Sequence, residues 1–89
     1  MRKLGTLLTD ARDLLTGDRM SQYGHPRENY DIAARVASAY RKKEFTIEDV
    51  LAIMLAVKLA RQATHPKRDN LVDAAAYLAI MDDVGEEGK

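Results

Sequence analysis

The sequence predicts an all-α protein, a compact antiparallel bundle of four helices that self-associates. Apolar residues recur at i, i+3, i+4 and i+7 along most of the chain, which is the spacing of an amphipathic helix. No segment shows the strict apolar–polar alternation of a half-buried strand. The connections between the predicted helices are short, and short connections favour antiparallel neighbours.

The first two helices have recognisable start and stop signals. The first helix covers residues 3–16, has leucines on one face and is ended by Gly17. Residues 18–25 form a polar loop, because this segment is polar and flanked by glycines. Pro26 then opens a second helix that runs to about residue 41, since proline fits the first position of a helix.

The third and fourth helices complete the bundle. The third covers residues 47–63 after the sequence Thr46-Ile47-Glu48-Asp49, which resembles a capping box with Asp in place of Glu or Gln. This helix is almost entirely apolar over residues 50–60, so it is central or lies at a subunit interface. A loop at residues 64–68 leads to the fourth helix, residues 69–83.

The composition places the chain in a single helical domain of residues 1–84, followed by a flexible tail at residues 85–89. The absence of cysteine excludes disulfides, thiolate metal sites and cysteine nucleophiles, and two histidines exclude a three-histidine metal site. A zero net charge and 6% aromatic residues argue against nucleic-acid binding.

The sequence shows neither a signal peptide nor a membrane span, so the cytoplasm is the expected compartment. A short chain buries a limited core, which favours self-association as a way to bury more.

The loop before the second helix is the first candidate site. It precedes a helix N-terminus, whose free backbone N–H groups favour an anion. A nearby arginine adds a bidentate hydrogen-bond donor. An alternative interpretation is that Asp18 and Arg19 pair with each other or cap helix ends while Tyr23 packs on the core. The candidate ligand-binding residues of this segment are Asp18, Arg19, Tyr23, His25 and Arg27.

The second candidate site is a polar stripe on each of the last two helices. Lys58 and Asp73 are single charges within apolar runs, and a buried ion is costly unless it meets a partner or a ligand. Helical spacing adds neighbours to each of them. The two stripes are Lys58, Arg61 and His65 on the third helix, and Asp69, Asp73 and Tyr77 on the fourth. They form either a structural salt-bridge ladder or a polar pocket for a charged ligand.

Four carboxylates form the third candidate, a magnesium site. Glu28 and Asp31 share one face of the second helix, and with Asp69 and Asp73 they supply the oxygen ligands that Mg²⁺ prefers. The alternative is a solvated helix face, because acidic residues in a first helical turn are ordinary capping chemistry.

An ordered set of short motifs resembles a small family of phage and prophage proteins classed as a domain of unknown function. The motifs are Gly17-Asp18-Arg19, Tyr23-Gly24-His25-Pro26, Glu28-Asn29-Tyr30, Ile47-Glu48-Asp49-Val50, Lys58-Leu59-Ala60-Arg61, and Asp69 with Asp73-Ala74-Ala75-Ala76-Tyr77. The resemblance covers about residues 8–80. It implies a phage or prophage setting, hence the cytoplasm of a bacterial host. The family-matching positions are Asp18, Arg19, Tyr23, Gly24, Pro26, Asn29, Lys58, Arg61, Asp69, Asp73 and Tyr77.

A more distant similarity is to the all-α nucleoside triphosphate pyrophosphohydrolases. Residues 70–79 are similar to the second acidic motif of those enzymes and the helix after it. Asn70 stands where that motif has Glu, and the paired-Glu motif that precedes it in those enzymes is absent. The similarity implies Mg²⁺-dependent nucleotide hydrolysis on the four carboxylates.

Three functions follow as hypotheses. In the first, the protein binds a phosphorylated, nucleotide-like small molecule in a polar pocket between helices. The phosphate ligands are then Arg19, Lys58 and Arg61, the base or sugar ligands are Asn29 and Tyr23, and Asp73 orients Lys58. The second is the Mg²⁺-dependent pyrophosphohydrolase. The third is a non-catalytic helical interaction protein, a homodimer, a higher homo-oligomer or a binder of a host factor. No cofactor is predicted other than Mg²⁺ for the second hypothesis.

Overall fold

The described part of the computed structural model consists of residues 3, 5–16 and 26–87, with side chains described only for 28–85 in the last range. Within these residues all regular structure is helical, which confirms the predicted all-α class. The helices are α1 Thr6–Thr16, α2 Pro26–Arg41, α3 Ile47–Thr64 and α4 Arg68–Glu87.

The bounds of α1 and α4 differ from the prediction. The first helix begins at Thr6 instead of residue 3. The fourth ends at Glu87 instead of residue 83, so it passes through Gly85 into the segment predicted as a tail. Ile80 is buried and Val84 is half-buried. The inward face of α4 therefore continues beyond residue 83, and this packing extends the helix.

The turn between α2 and α3 is organised by one serine. Lys42 has φ of 54°, and the backbone N–H of Lys43 donates to the carbonyl of Ser38 at 3.2 Å, as in a Schellman-type helix end. The Ser38 hydroxyl accepts the backbone N–H of Phe45 at 2.9 Å and donates to the carbonyl of Ala34 at 2.7 Å. These bonds end α2 and turn the chain back toward α3.

The predicted capping box at the start of α3 is confirmed. Asp49 donates its backbone N–H to the Thr46 hydroxyl at 3.1 Å, and Thr46 donates its backbone N–H to the Asp49 carboxylate at 2.9 Å. Two N–H groups at the helix start are satisfied in this way.

The central helix of the bundle is α4, which packs against α1, α2 and α3. Its inward side is built mostly from small residues, so the core is thin. The buried apolar residues of the described chain are Ala11, Ala34, Leu51, Val72, Ala74, Ala76 and Ile80. Because these side chains are mostly alanine, the helices approach closely and many larger apolar side chains remain outside.

The short helix α1 is held on α4 by one apolar cluster and one ion pair. Ala11 packs with Val72 and Ala76, with the leucines of α1 around them. Arg68 at the start of α4 binds the Asp10 carboxylate at 2.5 Å. No helix within the described residues has the length and apolar character needed to cross a membrane.

Candidate functional site

The ion pair between Lys58 and Asp73 is the centre of the candidate site. The Lys58 ammonium lies 2.7 Å from an Asp73 carboxylate oxygen, and the two side chains are 15% and 27% exposed. Lys58 is on the side of α3 that packs on α4, and Asp73 is on the facing side of α4. The expectation that these two charges meet across the helix interface is confirmed. Their role in ligand binding stays a prediction.

An aromatic pair lies one turn further along α4. Tyr77 follows Asp73 at i+4 and is half-buried. Its ring meets the ring of Tyr30 edge to face, with centroids 6.1 Å apart and planes at 78°. Tyr30 lies in the early part of α2, so this contact brings the N-terminal end of α2 to the stripe that carries Asp73.

The other members of the two predicted stripes are exposed. Arg61, His65 and Asp69 are at the surface, and His65 Nδ1 is 3.3 Å from the Thr64 hydroxyl. Among the residues that the structure describes, Lys58 and Asp73 form the one ion pair between α3 and α4. The charges do not form a continuous ladder, and the Lys58–Asp73 pair is flanked on the outside by an exposed arginine.

The four carboxylates predicted to hold Mg²⁺ lie in different surroundings. Asp31 is bound to Arg35 within α2 at 3.0 Å, whereas Asp73 is bound to Lys58. Glu28 and Asp69 are exposed. Within the described residues, no three His, Asp or Glu side chains gather as a metal site would require. The magnesium set therefore stays a prediction from the sequence.

The loop predicted as the first candidate site lies mainly outside the described residues. This applies to Asp18, Arg19, Tyr23 and His25. The backbone of Arg27 belongs to α2, and its side chain lies outside the described part. Asn29 is an exposed residue of the first two turns of α2, on the same segment as Tyr30.

A polar cluster that the sequence did not predict closes the turn between α3 and α4. Asn70 is 8% exposed, and its amide donates to the Gln62 side chain at 3.2 Å and to the His65 carbonyl at 3.3 Å. The same Gln62 oxygen accepts the backbone N–H of Lys67 at 3.0 Å. In the sequence, Asn70 is recognisable only as an amide residue at the start of an apolar helix. That pattern does not predict its burial, because its partners Gln62 and His65 are brought to it by the turn.

Comparison with known proteins identifies the family of this chain. A family described as Domain of unknown function (DUF6378) matches residues 6–85. The chain belongs to the DUF6378 family. It is 37% identical over 83 residues to the Gene 55 protein of Mycobacterium phage D29, a match that covers 92% of this chain and 55% of the relative. It is 34% identical over 79 residues to the Gene 55 protein of Mycobacterium phage L5, covering 86% of this chain and 51% of the relative.

These matches confirm the predicted small phage-type helical family. The DUF6378 chain spans about half the length of the curated relatives it matches. No solved structure matches it. The similarity to the all-α pyrophosphohydrolases is not shown by these comparisons.

A second surface of the DUF6378 protein is apolar instead of polar. The side of α3 that faces away from α4, here called the outer face of α3, carries apolar side chains that are all exposed. Its members are Ala52, Ile53, Ala56, Val57, Leu59, Ala60 and Ala63. The outward side of α2 also exposes large apolar side chains, namely Ile32, Val36 and Tyr40. Contiguous apolar surface of this kind marks interaction sites in folded proteins.

Proposed function

We propose that the DUF6378 protein binds a phosphorylated, nucleotide-like small molecule where α3, α4 and the early part of α2 meet. The observation that supports this proposal is the position of the Lys58–Asp73 pair. It is partly buried, and the Tyr30–Tyr77 pair lies one turn away along α4. A cation, a carboxylate and two aromatic rings thus lie within one turn of α4, and small-molecule sites commonly combine aromatic side chains with a few polar groups.

The cations of α3 are suited to a phosphate group. The Lys58 ammonium has three N–H donors, and its bond to Asp73 uses one of them. Arg61 follows at i+3 on α3 and is exposed, so its guanidinium can offer two parallel donors to a phosphate. Asp73 holds the ammonium at a fixed place, which reduces the entropy lost when a ligand binds.

The α2 side of the surface is suited to a base or sugar. Tyr77 offers an aromatic edge and a phenol hydroxyl beside Asp73, and Tyr30 packs against it from α2. The first turn of a helix also presents backbone N–H groups to an anion. In this proposal the segment before α2 supplies Asp18, Arg19, Tyr23 and His25, the start of α2 supplies Arg27 and Asn29, and Asp69 lies at the rim.

The test is a ligand screen with a matched pair of variants. Purified protein is heated with nucleoside mono-, di- and triphosphates and with pyrophosphate, each with and without Mg²⁺. A compound that binds the native state raises the melting temperature by mass action. We expect such a rise for the wild type and for Lys43→Met, an exposed lysine in the turn between α2 and α3. We expect its loss in the double variant Lys58→Met/Asp73→Leu.

The double variant separates binding from stability. Replacing both members of a buried pair by apolar residues of similar size is often neutral or stabilising. The variant is therefore expected to fold and yet bind no phosphorylated compound. A folded wild type whose melting temperature moves with none of the compounds would contradict the proposal. A shift that requires Mg²⁺, followed by pyrophosphate release, would favour hydrolysis at this site over simple binding.

A second candidate function is that of a non-catalytic interaction protein that forms homo-oligomers. The specific observation in its favour is the exposure of large apolar side chains, with Val36 63%, Ile53 54% and Leu59 52% exposed. Sedimentation velocity over a wide concentration range tests it. A rise in sedimentation coefficient with concentration is expected. A constant monomer value would contradict self-association.

A further inference from the structure

We infer that the outer face of α3 pairs with the same face of a second copy of this chain, with the two α3 helices antiparallel. The inference rests on the self-association proposed above and adds the surface and the orientation. It concerns the side of α3 opposite to the Lys58–Asp73 pair, so both surfaces can be occupied at once.

The outer face of α3 is uncharged over about three turns. The one charge within residues 50–60 is Lys58, which lies on the opposite side of the helix and is bound to Asp73. On the outer face, Ile53 is 54% exposed and Leu59 is 52% exposed. An exposed helix face without charge has a strong tendency to be buried against another apolar surface.

The shape of this face is complementary to itself. Ala52, Ala56 and Ala60 follow one another at i+4 and form a shallow groove along the helix. Ile53 and Val57 form the neighbouring row of larger side chains. Rows at i+4 spacing on one helix pack into the grooves between such rows on another. In an antiparallel two-fold pair each row meets its own copy, so the alanine row faces an alanine row and the two helices can approach closely, while the larger side chains interdigitate beside it.

The charges at the two ends of α3 favour the antiparallel arrangement. Glu48 and Asp49 lie at its N-terminal end, whereas Arg61 and Lys67 lie at or just after its C-terminal end, and all four are exposed. A second copy in the reverse direction brings acidic ends to basic ends. A parallel copy would bring like charges together. The zero net charge of the chain means that two copies do not repel each other at long range.

The area of the outer face of α3 sets the expected affinity of the dimer. A stable interface of standard size buries about 800 Å² on each partner. Three turns of one helix cover less than that, so the dimer is expected to be weak and strongly dependent on concentration.

The first experiment is sedimentation equilibrium of the wild type, Val57→Asp and the control Leu8→Asp. Val57 is on the outer face of α3 and is 37% exposed, whereas Leu8 is on α1 and is 67% exposed. We expect the Val57 variant to raise the dimer dissociation constant at least tenfold and the Leu8 variant to leave it unchanged. A monomeric wild type would overturn both the inference and the proposed self-association. A wild-type dimer that is equally stable in Val57→Asp would overturn the inference alone.

The second experiment reads the orientation and does not depend on a destabilising charge. The chain contains no cysteine, so a single introduced cysteine reports one contact. Ala56 lies near the middle of the outer face of α3, so it meets Ala56 of the second copy in an antiparallel pair. Ala56→Cys is therefore expected to form a disulfide-linked dimer under mild oxidation with diamide. Ala63→Cys, near the end of the face, is expected to stay monomeric. Cross-linking of Ala63→Cys and not of Ala56→Cys, or of both equally, would overturn the antiparallel arrangement.

Discussion

Lys58 and Asp73 occupy the one charged position of each apolar run in α3 and α4, and their side chains meet at 2.7 Å across the interface of these helices. The pair is largely shielded, with Lys58 only 15% exposed. A charge in such a place is costly by itself, so each residue constrains the choice of the other. The pair therefore favours one register of α3 on α4.

Removing one member of this pair is expected to destabilise the protein. Asp73→Ala leaves the Lys58 ammonium poorly solvated and without its carboxylate. The loss should be about 2 kcal/mol, between the small value for exposed pairs and the larger value for fully buried ones. Urea unfolding followed by circular dichroism measures it. Asp82→Ala, an exposed carboxylate later on α4, is the control and should change stability by less than about 0.5 kcal/mol. Equal stability of the two variants would mean that the pair contributes nothing.

The buried amide of Asn70 supports a second prediction. Asn70→Asp has the same shape but replaces the donating amide by a carboxylate that faces two acceptors, the Gln62 oxygen and the His65 carbonyl. We expect a loss of about 1–3 kcal/mol at neutral pH, the usual result of leaving buried polar groups unpaired. Thermal unfolding at constant ionic strength is the measurement. The control is Lys67→Ala, whose side chain is exposed and whose backbone bond to Gln62 is kept. An unchanged melting temperature in Asn70→Asp would show that the turn does not need this amide.

The local signals in the sequence predicted the helices well. The capping box at Thr46 and the proline at position 26 give the starts of α3 and α2, because these signals act through hydrogen bonds and angles of neighbouring residues. The end of α4 was not predicted. Ile80 is buried and Val84 is half-buried, so the buried face of α4 continues past residue 83 in spite of the low helix propensity of Gly85.

The contacts of the site could be predicted only in part. Lys58 and Asp73 were each recognisable as a charge within an apolar run, so the pair could be inferred. Arg68 and Asp10 have no such pattern, because Arg68 lies in a polar stretch at a helix start and Asp10 is one of several charged residues in the middle of α1. The exposure of the outer side of α3 could not be inferred either. An apolar helix is equally consistent with a central position, and here α4 takes that position because its small residues allow three neighbours to approach.

The cap of α3 supports a third prediction. Thr46→Ala removes the hydroxyl that accepts the Asp49 N–H, and about 1 kcal/mol of stability should be lost. Thr64→Ala at the other end of the same helix is the matched control. Thr64 is also exposed, but its hydroxyl bonds back to the Ala60 carbonyl, a bond that adds little to a helix. Chemical denaturation of both variants gives the comparison. A loss in Thr64→Ala as large as that in Thr46→Ala would contradict the role of the cap.

The ion pair that holds α1 supports the last prediction. Arg68 binds the Asp10 carboxylate and reaches the Thr6 hydroxyl at 3.4 Å, so it fastens α1 to the start of α4. Because α1 is short and rests on a small apolar cluster around Ala11, loss of this contact should loosen α1 before the rest of the bundle.

Hydrogen exchange of Arg68→Ala measures this directly. We expect faster exchange of the α1 amides and unchanged exchange in the middle of α3, with about 1 kcal/mol lost from local stability. Arg35→Ala is the control, since Arg35 pairs with Asp31 on the same helix and is 80% exposed. It should leave exchange in α1 unchanged. Uniformly faster exchange throughout the bundle in Arg68→Ala would instead show that α1 unfolds together with the other helices as one cooperative unit.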